Sequence, residues 1–127
     1  LVIAFEPAEA ARVLPYLAPA GTLVTATPAV QPVTAALSTD PYRATDVVAN
    51  IQRALEGTKA TFIPVDDQAL VEAAGSRKVL NNLLLAKALQ TGCIPISLVD
   101  LRSAIAACVK PKLVDMNLRA VDIAVAE

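Results

Sequence analysis

The stretch "LVIAFEPAEAARVLPYLAPAGTLVTATP", residues 1–28, decides the fold of this chain. Residues 1–5 are a short apolar run of strand character. Glu6-Pro7 then opens a helix, because proline at a first helical position loses no hydrogen bond and brings a backbone angle already suited to the turn. Ala10, Val13, Leu14 and Leu17 recur at helical spacing and give that helix one apolar stripe. Pro15 weakens its last turn and "APAG" ends it. Residues 22–27 are rich in β-branched side chains and read as a second strand. Strand, helix, strand in so short a span calls for a parallel pair with a helical crossover.

The same alternation continues outward. Residues 28–43 hold three of the nine prolines, Pro28, Pro32 and Pro41, and read as a long loop of the kind that is usually functional. Thr45-Asp46 caps a helix carrying Val47, Val48, Ile51, Ala54 and Leu55, which Gly57 closes. Residues 60–65 form a third strand, with Pro64 placing it at an edge or a strand end. Asp66 and Asp67 cap a short helix that stops at Gly75. From there the chain is helical. Residues 78–91 are apolar on nearly every side and need more than one neighbour. "SLVD" at residues 97–100 is a capping box opening a helix with Leu98, Leu101, Ile105 and Cys108 on one face. Pro111 starts the last helix, with Val114, Leu118, Val121 and Val125 inside and Asp115, Arg119 and Asp122 outside. The reading is a single α/β domain, Rossmann-like, with a partial parallel sheet of about three strands in three layers and a helical C-terminal half.

Composition excludes several classes of function. The 127 residues are 55 % hydrophobic and 18 % charged, which is globular rather than disordered. Net charge is −1 with the eleven Lys and Arg scattered, and the aromatics are two Tyr and two Phe, so a nucleic-acid surface is not expected. "VLNNLLLAKAL" is the nearest approach to a membrane span, well short of the roughly 20 apolar residues one requires. There is no His, and Cys93 and Cys108 stand far apart. That donor set holds neither a zinc nor an iron–sulfur site and supplies no Ser-His-Asp or Cys-His catalysis. Each Cys lies in an apolar segment and reads as a small core residue in a reducing, cytoplasmic setting. The four glycines, Gly21, Gly57, Gly75 and Gly92, stand singly at element ends, so no phosphate-cradling loop is present.

Candidate site residues follow from position. Glu6 sits at the carboxyl end of a strand, where open α/β sheets bind ligands, although a carboxylate there also complements a helix N-terminus. Thr27-Pro28 ends the second strand in the same way, with a plain turn as the other reading. Asn81 and Asn82 interrupt an apolar helix, and Asn117 interrupts the apolar row of residues 113–121. A buried amide must find partners, so these residues either tie a loop backbone or reach a ligand. No acid–base pair of catalytic type is present.

Five segments taken in order, "AFEPAEAARVLPYL", "GTLVTATPAVQPV", "VDDQALVEAAG", "NNLLLAKALQTGCIPI" and "VDMNLRAVDIA", resemble the gamma-type domain of 2-oxoacid:ferredoxin oxidoreductases, and most of all its indolepyruvate-oxidising branch. The family carries a G-x-G-G-Q-G turn that these residues lack, so the resemblance implies a C-terminal portion of that domain, whose first strand could self-associate through an open edge. It implies an accessory subunit, inactive alone, in the oxidative decarboxylation of an aryl-pyruvate to its acyl-CoA, with electrons passed to ferredoxin. Thiamine diphosphate, magnesium and iron–sulfur clusters would belong to a catalytic alpha-type partner, and none to this chain. Glu6, Pro7, Thr27 and Pro28 match the family's strand ends and become candidates for a substrate or CoA cleft; Asn81 or Asn82, and Asn117, match its helix Asn positions. Ala86-Lys87 departs from the family's Gly-Ala. Other readings are the same family acting on pyruvate, a branched-chain 2-oxoacid or 2-oxoglutarate, and a stand-alone module binding an anionic small molecule.

Overall fold

The computed structural model describes residues 1–27 and 44–126. The expected loop at residues 28–43, with Pro28 in it, lies outside the described residues. The chain forms two compact units, Val2–Val65 and Asp66–Glu127, the second together with Leu1.

The first unit is a three-stranded parallel sheet with helices. Strand β1 (Val2–Ala4) leads to helix α1 (Pro7–Val13) and a 3-10 turn at Leu14–Tyr16; β2 (Thr22–Ala26), α2 (Ala44–Leu55) and β3 (Thr61–Val65) follow. The order is β1-β2-β3, all parallel, with Ile3 opposite Val24 and Val24 opposite Ile63. Every residue of β2 is buried, as a central parallel strand requires. Ala4, Ala10, Leu23 and Ile51 form the core, and Leu14, Leu17, Val47, Leu55 and Phe62 pack on it. Pro15 acts as expected, turning the end of α1 into the tighter 3-10 form. Gly21 is needed for close approach: a Cβ there would stand 2.8 Å from Leu17 Cδ1 and 3.0 Å from the Ala18 carbonyl oxygen.

Pro64 decides the character of one sheet edge. Thr61 N–H donates to the Gly21 carbonyl and Thr27 N–H to the Val65 carbonyl, both at 2.9 Å. A parallel ladder engages alternate residues, so Thr61, Ile63 and Val65 serve β2. Pro64 therefore presents its missing donor at the outer edge, the place where a strand tolerates proline. One capping expectation is corrected: α2 starts at Ala44, so Asp46 lies inside the first turn, where it complements the helix dipole rather than capping it.

The second unit is helical. It contains α3 (Asp67–Ala74), a 3-10 turn at Arg77–Val79, α4 (Leu80–Gln90), α5 (Leu98–Cys108) and α6 (Pro111–Val125). Asp66 caps α3 by accepting from Ala69 N–H at 3.1 Å, and Gly75 ends it in the left-handed conformation at φ 83°. The apolar α4 has the several neighbours it needs, packing against α3, α5 and α6. Ala86 in it is wholly buried, whereas the adjacent Lys87 is half-buried. The capping box of α5 is formed in both directions: Asp100 N–H donates to Ser97 Oγ at 3.0 Å and Ser97 N–H to Asp100 Oδ2 at 2.9 Å. The Ser97 backbone N–H first, and the Ser97 side chain second, hold the Asp100 carboxyl below the usual range.

Candidate functional site

The carboxyl edge of the sheet is built by the strand ends of the first unit. Leaving β1, Glu6 is extended, at φ −149° and ψ 149°, and Pro7 at the first position of α1 is buried. The pairing of β1 with β2 ends at Ala4 opposite Thr25, and Glu6 and Thr27 each lie two residues further on, beyond the carboxyl ends of neighbouring strands. Glu6 stands at the N-cap position, yet its side chain makes no capping hydrogen bond. Its main-chain carbonyl instead accepts Ala10 N–H at 3.2 Å. Its Oε2 is buried with no hydrogen-bond partner. An acceptor left unmatched in this way carries a free-energy cost that a ligand or partner donor would relieve.

Thr27 is held more firmly. Its N–H and its hydroxyl both donate to the Val65 carbonyl, at 2.9 and 3.0 Å, which fixes the side chain and leaves the oxygen's lone pairs as acceptors. A cavity of about 270 Å³ opens beside it, lined by Thr27, Val48, Ala49 and Gln52. The site therefore draws on the end of β2 and the exposed side of α2. Gln52 was not singled out in the sequence; its only signal there is a polar residue one position beyond the buried Ile51. Pro28 lies outside the described residues.

In the second unit the structure brings forward Asp67, which the sequence reading took as a cap beside Asp66. Asp66 does the capping. Asp67 is wholly buried, bonded through Oδ2 to Arg77 Nη1 at 3.2 Å, with Oδ1 unpartnered. Burial pushes its carboxyl above the usual range, and Arg77 offsets part of that effect. A signal was available: Asp67, Leu70 and Ala74 share one helical stripe and are the buried residues of α3.

The three asparagines have separate fates. Asn81 is exposed, and its Oδ1 accepts Asn82 N–H at 3.0 Å. Asn82 Nδ2 donates to Asn117 Oδ1 at 2.6 Å, and Asn117 Nδ2 donates to the Leu113 carbonyl at 2.8 Å. Asn82 and Asn117 thus join α4 to α6; the expected tie to a loop backbone is a tie between helices. The cysteine expectation also needs correction. Cys93 is half-buried with Sγ 3.4 Å from the Ala88 carbonyl oxygen, but Cys108 is exposed. Cys108 is the last residue of α5, beyond the turn at which Leu101 and Ile105 are buried. Two such thiols, one in the connection after α4 and one at the last residue of α5, do not fit the four-cysteine ligand set of a cluster.

Comparison with known proteins adds the family context. The model of the pyruvate ferredoxin/flavodoxin oxidoreductase family matches residues 1–127. The indolepyruvate oxidoreductase subunit IorB of Pyrococcus horikoshii is 29 % identical over 125 residues, covering 98 % of this chain and 61 % of that protein. Its counterpart in Thermococcus kodakarensis is 30 % identical with the same coverage, and that of Methanothermobacter thermautotrophicus is 30 % identical over 120 residues, 94 % of the chain and 60 % of that protein. The chain spans about three-fifths of the length of these curated relatives. No solved structure matches.

Proposed function

The chain belongs to the pyruvate ferredoxin/flavodoxin oxidoreductase family, and we propose that it forms part of an accessory subunit in a thiamine-diphosphate-dependent 2-oxoacid oxidoreductase acting on indolepyruvate or a similar aryl-pyruvate. The observation that carries this reading is the similarity, along nearly the whole chain, to subunits named for indolepyruvate oxidation. The overall reaction balances as a 2-oxoacid anion plus CoA thiol giving acyl-CoA, CO₂, one proton and two electrons, the electrons passing to ferredoxin.

The chemistry of the donor set supports a reading in which another subunit holds the catalytic groups. Decarboxylating a 2-oxoacid needs a carbanion sink, which thiamine diphosphate supplies and side chains do not. Electron transfer through clusters needs thiolate ligands in numbers this chain lacks. Thiamine diphosphate, magnesium and the clusters are therefore assigned to a catalytic alpha-type partner, in the cytoplasm. This chain contributes a wall. Thr27 offers a fixed oxygen and Gln52 an amide in a lining that carries no charge among the described residues, and Glu6 offers an unmatched acceptor beyond the end of β1. Such a lining suits a neutral polar segment carrying N–H and O–H donors, such as the pantetheine arm of CoA, better than it suits CoA's phosphates.

The test is to assay the subunit containing this chain, its catalytic partner and the mixture side by side, with indolepyruvate, CoA and ferredoxin or a dye acceptor. Turnover is expected in the mixture alone, and faster with indolepyruvate than with pyruvate, a branched-chain 2-oxoacid or 2-oxoglutarate. Turnover by this subunit alone would overturn the accessory role, and full activity of the partner alone would show the subunit to be dispensable.

A further inference from the structure

The amino end of the sheet in the first unit, opposite the edge carrying Glu6 and Thr27, holds a second cavity of about 340 Å³. Leu14, Leu17 and Pro19 line it from the connection between α1 and β2; Leu55 and Lys59 line it from the connection between α2 and β3. The three leucines are half-buried, packed inward against the core and left uncovered outward. Both walls are firmly set. Gly21 lets the turn close directly on Leu17, since a Cβ there would lie 2.8 Å from Leu17 Cδ1. On the other side Thr58 Oγ1 donates to the Leu55 carbonyl at 2.6 Å and accepts Ala60 N–H at 3.3 Å, which fixes the turn around Lys59.

Lys59 is exposed, and among the described residues no carboxylate pairs with it. Leucine walls with one unneutralised ammonium at the lip are complementary to a small molecule with an apolar body and a single negative charge. A neutral apolar compound would leave the ammonium unused, and a dianion would set its second charge against leucine. We propose that this cavity binds a monocarboxylate with an apolar body, at the amino end of the sheet and separate from the Thr27 cleft. The proposal does not rest on the functional reading above, because it needs only the first unit's own residues.

The experiment is a titration of the full 127-residue chain, labelled with ¹⁵N, with 3-phenylpropanoate and with its neutral amide, followed by ¹⁵N–¹H correlation spectra. Saturable shifts are expected at Leu17, Leu55 and Lys59 with the acid, and affinity for the amide roughly two- to fivefold lower, as loss of one exposed charge pair implies. Lys59→Met, at an exposed position that leaves the fold intact, should abolish that difference; Leu17→Asn should weaken both ligands. Equal affinity for acid and amide, an unchanged preference in Lys59→Met, or shifts confined to Thr27 and Gln52 would each overturn the proposal.

Discussion

Removing the Asn82 side chain tests the polar tie between α4 and α6. Asn82 Nδ2 is the donor to Asn117 Oδ1 at 2.6 Å, and Asn117 is only 6 % exposed. In Asn82→Ala that oxygen keeps its buried position and loses its donor, with little access to water. Leaving one buried neutral acceptor unmatched costs about 1–3 kcal/mol. For a chain of this length each kcal/mol shifts the midpoint by roughly 3–5 °C, so a fall of roughly 3–15 °C is expected. Asn117→Ala differs in kind: it strands the Asn82 amide, which is half-buried and can turn toward solvent. Its cost should lie in the lower half of that range. The pair Asn82→Leu and Asn117→Leu together removes both polar groups and should cost less than Asn82→Ala alone, because no orphan remains. Urea unfolding followed by far-UV circular dichroism measures each variant, with an unchanged m-value confirming that native stability moved. The double-mutant cycle between the alanine variants should give a coupling of about 0.5–3 kcal/mol. Two alanine variants each within about 0.5 kcal/mol of the parent, and additive, would refute the reasoning and mark both amides as surface-like.

Three further outcomes are expected. Ser97→Ala breaks the capping box and should cost about 0.5–2 kcal/mol; because Asp100 is held below its ordinary range, the contribution of its carboxylate is complete above the unfolded value and is lost as pH falls through the lowered one, so the variant, which keeps the Ser97 backbone N–H and loses only the side-chain part, should show a slightly flatter acid limb of stability against pH. Asp67 has the opposite sign: its raised carboxyl favours the folded state at low pH, and that contribution is lost as pH rises from the ordinary carboxylate value through the raised one, so Asp67→Asn should be as stable as the parent or more so at pH 7; a loss above about 2 kcal/mol there would show instead that the pair with Arg77 dominates. The outer edge of β1 carries no proline, unlike that of β3, so the 127-residue chain should self-associate through it at high concentration; sedimentation as a monomer throughout, with no change in Ile3→Pro, would count against an open edge.

Local features of the chain were legible because their causes are local. Alternating strand and helix signals, Pro15 at the end of α1, Pro64 at an edge, Gly75 beyond a helix and the Ser97–Asp100 box each act within a few residues, and each is found where the pattern places it. The family resemblance was legible for another reason, since it rests on the order of whole segments rather than on any one contact. What required the tertiary structure were the partners of polar groups. The spacing of Asn82 and Asn117 cannot reveal that they meet, because their contact joins residues 35 positions apart across two helices. Two adjacent aspartates look alike as caps until packing exposes Asp66 to solvent and encloses Asp67. Likewise Glu6 stands at an N-cap position with the extended backbone that such a residue ordinarily has, yet its side chain makes no capping hydrogen bond, and only the structure shows Oε2 buried and unmatched at the edge of the sheet.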